Sequence, residues 1–361
     1  MTALDITRLR LRSQRLSPPE GKTPADVVRW FGAIQSQDLP ASLWAVGQRM
    51  AKTVTEADVE RAIADKTLIR SWPMRGTIHL MPAEDARWMV RLLAPRIDAK
   101  AARNYRVAGL SPETIKRAGD VMAETLAGRQ CTRAEVYEAL NAEGIPTDGH
   151  NGQQRGMHLL VHWARHGLIC VTPRRGKQQT FALMDEWMPG GVDLSGEEAL
   201  AEMARRYFRS HGPATIKDFA GWTGVTLTEA RRAAEAVKGE FDRETGDDGA
   251  EYWLSPGLGG RGRKAPPVFL LPPFDEYTVA YADRSAVIGS HALAAVGHGI
   301  ASNLIIDGRL AGLWKRTLKR DSISVEVQAI RPLSREEREM IPAAVERYAR
   351  FLGLSPTLAL K

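Results

Sequence analysis

Apolar residues recur at helical spacing along most of the chain, and each helical stretch follows a residue that can cap a helix N-terminus. The first clear helix is predicted at Thr23-Pro24, where a capping threonine precedes a first-turn proline, and its apolar positions continue to about Ile34. A second helix is predicted behind Asp38-Leu39-Pro40, and a third from Thr55 to about Lys66. Two helices separated by a few residues are typical of a helix-turn-helix.

Strand-like segments follow the helices and predict hairpins. Residues 68–81 contain two short apolar runs around a turn, which is the pattern of a wing. The same order recurs after Thr132 and Glu135, which form a capping box. There a helix is predicted over residues 152–167, followed by a hairpin with a basic, glycine-containing tip.

A third round of the same pattern begins near His211. It includes a second capping box, Thr226 with Glu229, and a strand-like edge at residues 252–254. Three rounds predict three tandem winged-helix modules. We expect them over residues 1–110, which include the Gln35–Gln37 turn, 111–195, which include the basic wing, and 196–256.

The pattern changes after Pro256. Residues 257–264 are rich in glycine and arginine, which is typical of a flexible basic linker. A last helix is predicted from Ser334, with Glu337 as its capping-box partner, to about Gly353. Strands are predicted at 268–271, 278–281, 302–306, 309–313 and 322–327. We therefore expect an α+β fold that is mostly helical, with a small β-rich C-terminal domain over residues 257–361.

Composition narrows the class of protein. The chain has 361 residues, of which 43% are hydrophobic and 26% charged, as in ordinary folded proteins. No apolar stretch approaches a membrane span, no secretory signal is visible, and two cysteines cannot build a disulfide framework. The net charge of +7 favours an anionic partner, nucleic acid first, although it also fits simple solubility. We expect a cytoplasmic, nucleoid-associated protein that contacts no membrane.

Several short motifs, taken in order, resemble one protein family. They include Gln35-Ser36-Gln37-Asp38 in the first helix-turn-helix, and the others follow it along nearly the whole chain. These are Ser71–His79, Gly212–Thr215, Asp218-Phe219, Trp222–Gly224, Leu270–Tyr277, Asp283-Arg284, Asp307–Arg309 and Gly312–Arg316. Together they resemble the bacterial winged-helix DNA glycosylases of the AlkZ type, which excise alkylated bases and unhook interstrand crosslinks.

The resemblance implies a catalytic Gln-x-Gln segment, here Gln35 and Gln37. Relatives with Gln-x-Asp form a second branch, and Asp38 lies one position late for that pattern. Residues i and i+2 point to the same side only in an extended segment, so Gln35 and Gln37 can share a site if they lie between the two helices. The alternative is a pair of polar turn residues that hydrogen-bond to the backbone.

A glutamine amide cannot act as a general base, because it has no accessible pKa. Its carbonyl can orient a water molecule and face a developing cation. Such help suffices when the leaving group is already good, as in purines alkylated at N7 or N3, which are positively charged. The Gln35–Gln37 pair therefore fits a monofunctional DNA N-glycosylase in which water is the nucleophile.

Four further residues are candidates for the base pocket. Asp38 could activate water or fix a glutamine, or it could serve as the N-cap of the second helix. Arg75, Thr77 and His79 alternate on the first wing, so they are predicted to share a face that lines the pocket or grips a phosphate. The alternative is a strand with one polar face.

Two basic segments are candidates for contacts with DNA phosphates. Arg174, Arg175 and Lys177 lie at the tip of the second wing, and Arg261, Arg263 and Lys264 lie in the linker. Basic wing tips usually follow the backbone or the minor groove. Solvated basic loops are the alternative in both places.

No metal or cofactor is predicted. His158, His162 and His166 are four apart on one helical face, but position 159 is leucine, so the carboxylate of a His-Glu-x-x-His motif is missing. Trp30, Trp44 and Trp163 have the spacing of core residues.

Two functions from different classes remain. The first is a glycosylase acting as a monomer on double-stranded DNA with alkylated purines, which include simple adducts, bulky adducts and crosslinks. The second is a winged-helix transcriptional regulator that binds DNA without catalysis, because fold does not fix function. Base release distinguishes them.

Overall fold

The computed structural model describes residues 1–149, 154–258, 268–289 and 301–361, and these residues form two compact units. One unit combines residues 1–59 with 201–361, and the other spans residues 60–200. The fold is mixed α+β, as predicted. No helix of the described residues is long and apolar enough to cross a membrane.

Helices begin where the sequence supplies a cap. The capping boxes of Thr132 and Thr226 are both formed, and Ser334 with Glu337 starts the last helix as predicted. The helices are α1 Ala3–Ser13, α2 Pro24–Phe31, α3 Leu39–Gly47, α4 Glu56–Ala64, α5 Ala86–Val107, α6 Pro112–Leu126, α7 Arg133–Ala142, α8 Arg155–Arg165, α9 Met184–Trp187, α10 Gly196–His211, α11 Ile216–Thr223, α12 Leu227–Ala236, α13 Glu276–Val279, α14 Ser285–Ile288 and α15 Arg335–Leu352.

The strands form three hairpins and a C-terminal sheet, and two of the hairpins, β2–β3 and β5–β6, were predicted. The strands are β1 Ile34–Gln35, β2 Leu68–Met74, β3 Thr77–Pro82, β4 Cys131–Thr132, β5 Ile169–Arg175, β6 Gln178–Leu183, β7 Asp242–Thr245, β8 Glu251–Leu254, β9 Val268–Leu271, β10 Asn303–Ile306, β11 Arg309–Leu318, β12 Ser322–Ala329 and β13 Ser355–Leu360. The hairpins β2–β3, β5–β6 and β7–β8 are all antiparallel.

Within the unit of residues 60–200, two hairpins share one sheet. Its strand order is β3-β2-β5-β6-β4, and Arg70 of β2 faces Val171 of β5. Helices α6, α7 and α8 pack a continuous apolar core against it, centred on Met122, Leu140 and Leu160. Each of these side chains is fully buried, so helix and sheet stabilise each other through removal of apolar surface from water.

In the other unit, the C-terminal sheet has the order β13-β12-β11-β10-β9. Only β12 and β13 are parallel neighbours in that order, because α15 separates them along the chain. Side chains of α1 and α14 pack against β9 and β10 in a second apolar cluster. This packing brings the segment after β9, residues 272–281, next to the N-terminal residues of the same unit.

The structure corrects several of the predictions made from the sequence. Helix α2 ends at Phe31 rather than Ile34, because Gly32 adopts a φ of 82° and stops it. Residues 278–281 were predicted as a strand, but Asp275 caps the short helix α13 there. Strand β13 was missed, since the pattern after Gly353 gave no strand signal.

Candidate functional site

Gln35 and Gln37 lie between α2 and α3, as the sequence predicted, with Gln35 at the end of β1 and Gln37 at a bend before Asp38. Ser36 is fully buried and its hydroxyl lies 2.7 Å from the hydroxyl of Ser42. Gln35 is half-buried and Gln37 is exposed. Both glutamines are therefore more exposed than the serine between them, and both side chains are accessible from outside the core.

Asp38 is the N-cap of α3. Its Oδ1 accepts a hydrogen bond from the backbone N–H of Ala41 at 3.1 Å, and Pro40 occupies the first turn. This cap fixes the direction in which α3 leaves the Gln35–Gln37 segment.

Glu276 anchors the other end of the segment. Only 1% of Glu276 is exposed, and its Oε1 accepts a hydrogen bond from the backbone N–H of Gln35 at 2.7 Å. Its Oε2 accepts the indole N–H of Trp222 at 3.0 Å. A buried carboxylate bonded on both oxygens is a rigid partner, so it fixes the backbone from which the Gln35 side chain emerges.

His211 completes the surroundings of Glu276. Its Nε2 lies 3.5 Å from Oε2 of Glu276, and its Nδ1 lies 2.8 Å from the hydroxyl of Ser210. Burial lowers the pKa of His211, and the hydrogen bond and charge of Glu276 offset part of this effect. The imidazole stacks on Tyr207, with ring centroids 4.5 Å apart.

The residue before Glu276 forms a buried ion pair. Asp275 Oδ1 and Oδ2 accept hydrogen bonds from Arg49 at 2.7 and 2.9 Å, and both side chains are at most 1% exposed. Arg49 also donates to the side-chain oxygen of Gln14 at 3.0 Å. The bidentate pair links Arg49, just after α3, to the N-cap of α13. It is a second connection between the part of the chain that contains Gln35 and the part that contains Glu276.

The candidate pocket residues of the first wing lie in the other unit, residues 60–200. Arg75 occupies the turn with a φ of 53°, so the predicted strand alternation does not extend to it. Thr77 is half-buried at the start of β3, and His79 is fully buried with its Nδ1 2.9 Å from the carbonyl oxygen of Thr77. The three side chains therefore do not form one uniform exposed face.

The basic wing tip is formed, and two of its three cations have partners. Arg174 donates to both carboxylate oxygens of Glu60, at 2.8 and 2.9 Å. Arg175 donates to Glu135 at 3.0 Å. Hydrogen bonds from Thr132, and then from Arg175, lower the pKa of Glu135 to about 2. Lys177 is exposed, whereas Arg261, Arg263 and Lys264 lie outside the described residues.

A second basic hairpin tip was not predicted. It joins β11 to β12 and contains Lys319 and Arg320, both exposed. Leu318 next to them is 52% exposed, which is unusual for a large apolar side chain. Many proteins that bind the minor groove of DNA combine basic side chains with apolar side chains that insert between base steps.

A carboxylate accompanies the histidines after all. Asp98 of α5 lies beside His162 and His166, and the ligand atoms of the three lie within 4.8 Å of one another, which could hold a metal ion. Arg165 already binds Asp98 at 2.5 Å, and His166 Nε2 lies 2.6 Å from it. Burial raises the pKa of Asp98, but the hydrogen bonds and charge outweigh this and hold it well below its usual range. Asp98 is therefore part of an ion-paired cluster with Arg165 and His166.

Sequence reasoning missed Glu276, Trp222 and His211 as residues around Gln35. Each lies within a quoted motif or beside one, but the contacts span long distances along the chain: Glu276 is 241 positions from Gln35 and 54 from Trp222. The only local signal was a carboxylate pair, Asp275-Glu276, inside an otherwise apolar segment.

Three comparisons with known proteins agree. A family model described as "DNA glycosylase AlkZ-like" matches residues 28–351. An interstrand DNA cross-link repair glycosylase of Streptomyces sahachiroi is 26% identical over 321 residues, which are 85% of this chain and 85% of that protein. The solved structure of Streptomyces sahachiroi DNA glycosylase AlkZ has the same fold, with a TM-score of 0.82 over 100% of both chains at 21% identity.

Proposed function

Because the chain belongs to the AlkZ-like family of DNA glycosylases, we propose that it hydrolyses the N-glycosidic bond of cationic alkylated purines in duplex DNA and leaves an abasic site. Gln35 and Gln37 are the proposed catalytic residues. The observation that supports this most is the placement of Gln35 and Gln37 between α2 and α3, where both are more exposed than Ser36 and the backbone N–H of Gln35 is hydrogen-bonded to buried Glu276.

The chemistry follows from what amides can do. The carbonyl oxygens of Gln35 and Gln37 accept hydrogen bonds from a water molecule and orient it, and they face the positive charge that develops on the sugar. Purines alkylated at N7 or N3 leave as neutral bases without protonation, so the enzyme needs no general acid. Anchoring by Glu276 contributes by restricting where the amides point, which is how positioning lowers a barrier.

We propose that crosslinked purines are substrates as well. The Streptomyces sahachiroi relative is named for interstrand crosslink repair. An N7-linked guanine in a crosslink has the same cationic leaving group as a simple N7-alkylguanine, so one mechanism serves both lesions.

The alternative of a regulator that binds DNA without catalysis is not favoured, because the matching family is one of enzymes. An experiment distinguishes the two functions: a glycosylase releases the damaged base, whereas a regulator binds DNA tightly and releases none.

Three tandem winged helices are the proposed architecture. In chain order, pairs of helices precede each of the hairpins β2–β3, β5–β6 and β7–β8. We keep the module boundaries at residues 1–110, 111–195 and 196–256, with the linker and β-rich domain over 257–361.

Further site residues are assigned by chemistry. Arg75 and Thr77 are proposed to contact the damaged base or a phosphate, and buried His79, 2.9 Å from the carbonyl oxygen of Thr77, is proposed to hold Thr77 in place. Asp38 is proposed to fix the Gln35–Gln37 segment through its cap. Basic tips are proposed to contact DNA phosphates, and they comprise Arg174, Arg175 and Lys177, the linker residues Arg261, Arg263 and Lys264, and the hairpin tip of Lys319 and Arg320. We propose that the protein acts as a monomer on cytoplasmic DNA at the nucleoid.

Base release from defined duplexes tests the function. One duplex contains a single N7-methylguanine, a second contains N3-methyladenine, and a third contains a nitrogen-mustard crosslink. Abasic sites are counted as alkali-labile strand breaks, with spontaneous depurination subtracted. We expect release from at least one duplex. Tight binding to undamaged DNA with no release from any of the three would contradict the proposal and favour a regulator.

A further inference from the structure

A small basic pocket lies beside the element that leads to Gln35. It has a volume of about 330 Å³ and is lined by four cationic side chains, two carboxylates and one indole. The residues are Arg15, Lys22, Arg29, Arg209, Glu20, Asp26 and Trp30. All of them belong to the unit of residues 1–59 and 201–361. The spacing of Trp30 predicted a core residue, but its side chain is only half-buried and forms one wall of this pocket.

The two carboxylates do not balance the four cations. Asp26 is occupied, because it accepts the backbone N–H of Thr23 at 3.0 Å and lies 3.3 Å from Arg29. Glu20 lies 3.9 Å from Arg15, and its side chain is 56% exposed. One loosely held carboxylate therefore faces the three remaining cations of the pocket.

Trp30 organises two of those cations. The guanidinium carbon of Arg15 lies 3.7 Å from the centre of the indole, and that of Arg209 lies 4.8 Å from it. The indole itself is fixed, since its N–H donates to the carbonyl oxygen of Ser13 at 2.7 Å. Cation–π contacts of this kind hold guanidinium groups in place without using their hydrogen-bond donors.

Each of the two arginines has an Nε–H donor that is not satisfied by the described residues. The Nε atoms of Arg15 and Arg209 are buried and have no hydrogen-bond acceptor among the residues that the structure describes. Burial lowers the pKa of Arg209, and the nearby charge of Arg206 lowers it further. The charge of Glu202 partly opposes this lowering of the pKa, but Glu202 is already bonded to Arg205 and Arg206. Buried donors and uncompensated positive charge together call for an anion.

We propose that this pocket is a phosphate subsite in which Arg15, Lys22 and Arg209 hold one phosphodiester of the DNA backbone. Guanidinium groups match phosphate oxygens in geometry and charge, and phosphate contacts set the register of a protein on a duplex. Helix α2 bears Trp30 and ends at Phe31, with Gln35 four positions later. A phosphate bound here is thus tied to the element that leads into the Gln35–Gln37 segment. The subsite rests on the proposed function only in taking DNA as the ligand.

The salt dependence of DNA binding tests the subsite on the full chain. Binding of a labelled undamaged duplex is measured by fluorescence anisotropy from about 50 to about 200 mM salt for the wild type and for Lys22→Gln with Arg209→Gln. Loss of one phosphate contact makes the slope of log K against log salt shallower by about 0.9. The matched control is Arg335→Gln, which removes the charge of an arginine whose side chain is 93% exposed and paired with Glu339 on α15. We expect the control to keep the wild-type slope.

A parallel experiment separates the backbone of DNA from free phosphate. Thermal melting is followed with inorganic phosphate and with chloride at equal ionic strength. A wild-type slope in the double variant overturns the proposal, whether or not phosphate raises the wild-type melting temperature. If the slope is unchanged and phosphate raises the melting temperature of the wild type but not of the double variant, the pocket binds a small phosphate ligand instead of DNA. If the double variant does not fold, Lys22→Gln alone decides, because Lys22 is exposed.

Failure of the subsite and failure of the glycosylase are distinguishable. The slope is measured on undamaged duplex and needs no catalysis. If the protein is a glycosylase, single-turnover base release by the double variant should need a higher protein concentration for half-saturation than release by the wild type. Absence of base release in the wild type would contradict the enzyme proposal and leave the salt result standing.

Discussion

The backbone N–H of Gln35 donates to the buried carboxylate of Glu276 at 2.7 Å, across 241 positions of the chain. The bond joins the proposed catalytic segment to the Leu270–Tyr277 motif, which extends from β9 into α13. The same carboxylate accepts the indole N–H of Trp222 from α11, so three distant parts of one unit meet at a single side chain. The proposed reaction therefore depends on a residue that does not need to touch the substrate.

Glu276→Ala should lower the rate of base release without weakening DNA binding. It leaves the N–H groups of Gln35 and Trp222 without their acceptor, and each costs about 1–3 kcal/mol when it is buried and unsatisfied. A displacement of the Gln35 backbone by about 1 Å is enough for a rate loss of up to about 100-fold. Single-turnover rates and half-saturating concentrations are compared with those of Glu276→Gln, which retains one acceptor and should recover part of the rate. Equal losses of rate and affinity in both variants would indicate a general structural role.

Asp275→Asn should destabilise the fold strongly. The substitution leaves the Arg49 guanidinium buried opposite a neutral amide, and breaking such a pair costs about 3–5 kcal/mol. Asp307→Asn is the control, because its pair with Arg8 lies at the surface with side chains 29% and 51% exposed, and surface pairs contribute about 0–1 kcal/mol. Urea unfolding measures both free energies. Similar losses for the two variants would contradict this account of the buried pair.

Stability should fall as the pH drops through the range in which histidine titrates. Burial lowers the pKa of His211 in the folded protein below its ordinary value of 6.5, whereas the unfolded chain binds a proton near that value. Below about pH 6.5 the unfolded chain therefore holds more protons at this residue, and the folded state loses stability. Melting temperatures between about pH 7.5 and about pH 5.5 should decline less in His211→Gln than in the wild type. Parallel declines in the two proteins would exclude His211 as the cause.

Two cations at the tip of the second wing, Lys177 and Arg174, should contribute differently to DNA binding. Lys177 is exposed, so Lys177→Gln should make the salt slope shallower by about 0.9 if it contacts one phosphate. Arg174→Gln should change the slope less, because Arg174 must first leave Glu60, to which it donates twice. Anisotropy titrations at several salt concentrations measure both slopes. A larger effect of Arg174→Gln would show that the pair with Glu60 opens on DNA.

Local features of the fold were predictable because their causes are local. The capping box of Thr132 with Glu135 and the hairpin that ends at Leu183 involve residues a few positions apart, and sequence patterns contain that information. The cap formed by Asp38 is equally local, because its carboxylate accepts a hydrogen bond from the backbone N–H of Ala41, three positions later. The position of Gln35 and Gln37 between two helices followed from two such helix boundaries.

Features that the composition of a segment does not reveal were not predictable. Residues 278–281 have the composition of a strand, but the cap by Asp275 and the left-handed backbone of Phe274, with a φ of 63°, start a helix instead. Arg174 was predicted to be a phosphate ligand, and no local pattern indicates that Glu60, 114 positions earlier, binds it. The environment of Gln35 was hidden for the same reason, because Glu276 reaches it only in the folded chain.

Base release by Gln37→Ala beside the wild type tests the central claim most directly. Both proteins are saturated on a duplex with one N7-methylguanine, and abasic sites are counted in a single turnover, with DNA affinity measured in parallel. The account predicts release by the wild type and a rate at least about 100-fold lower in the variant, as expected when one group that stabilises the transition state is removed. It predicts the same DNA affinity for both proteins. Release by Gln37→Ala at the wild-type rate would contradict the assignment of catalysis to the Gln35–Gln37 segment.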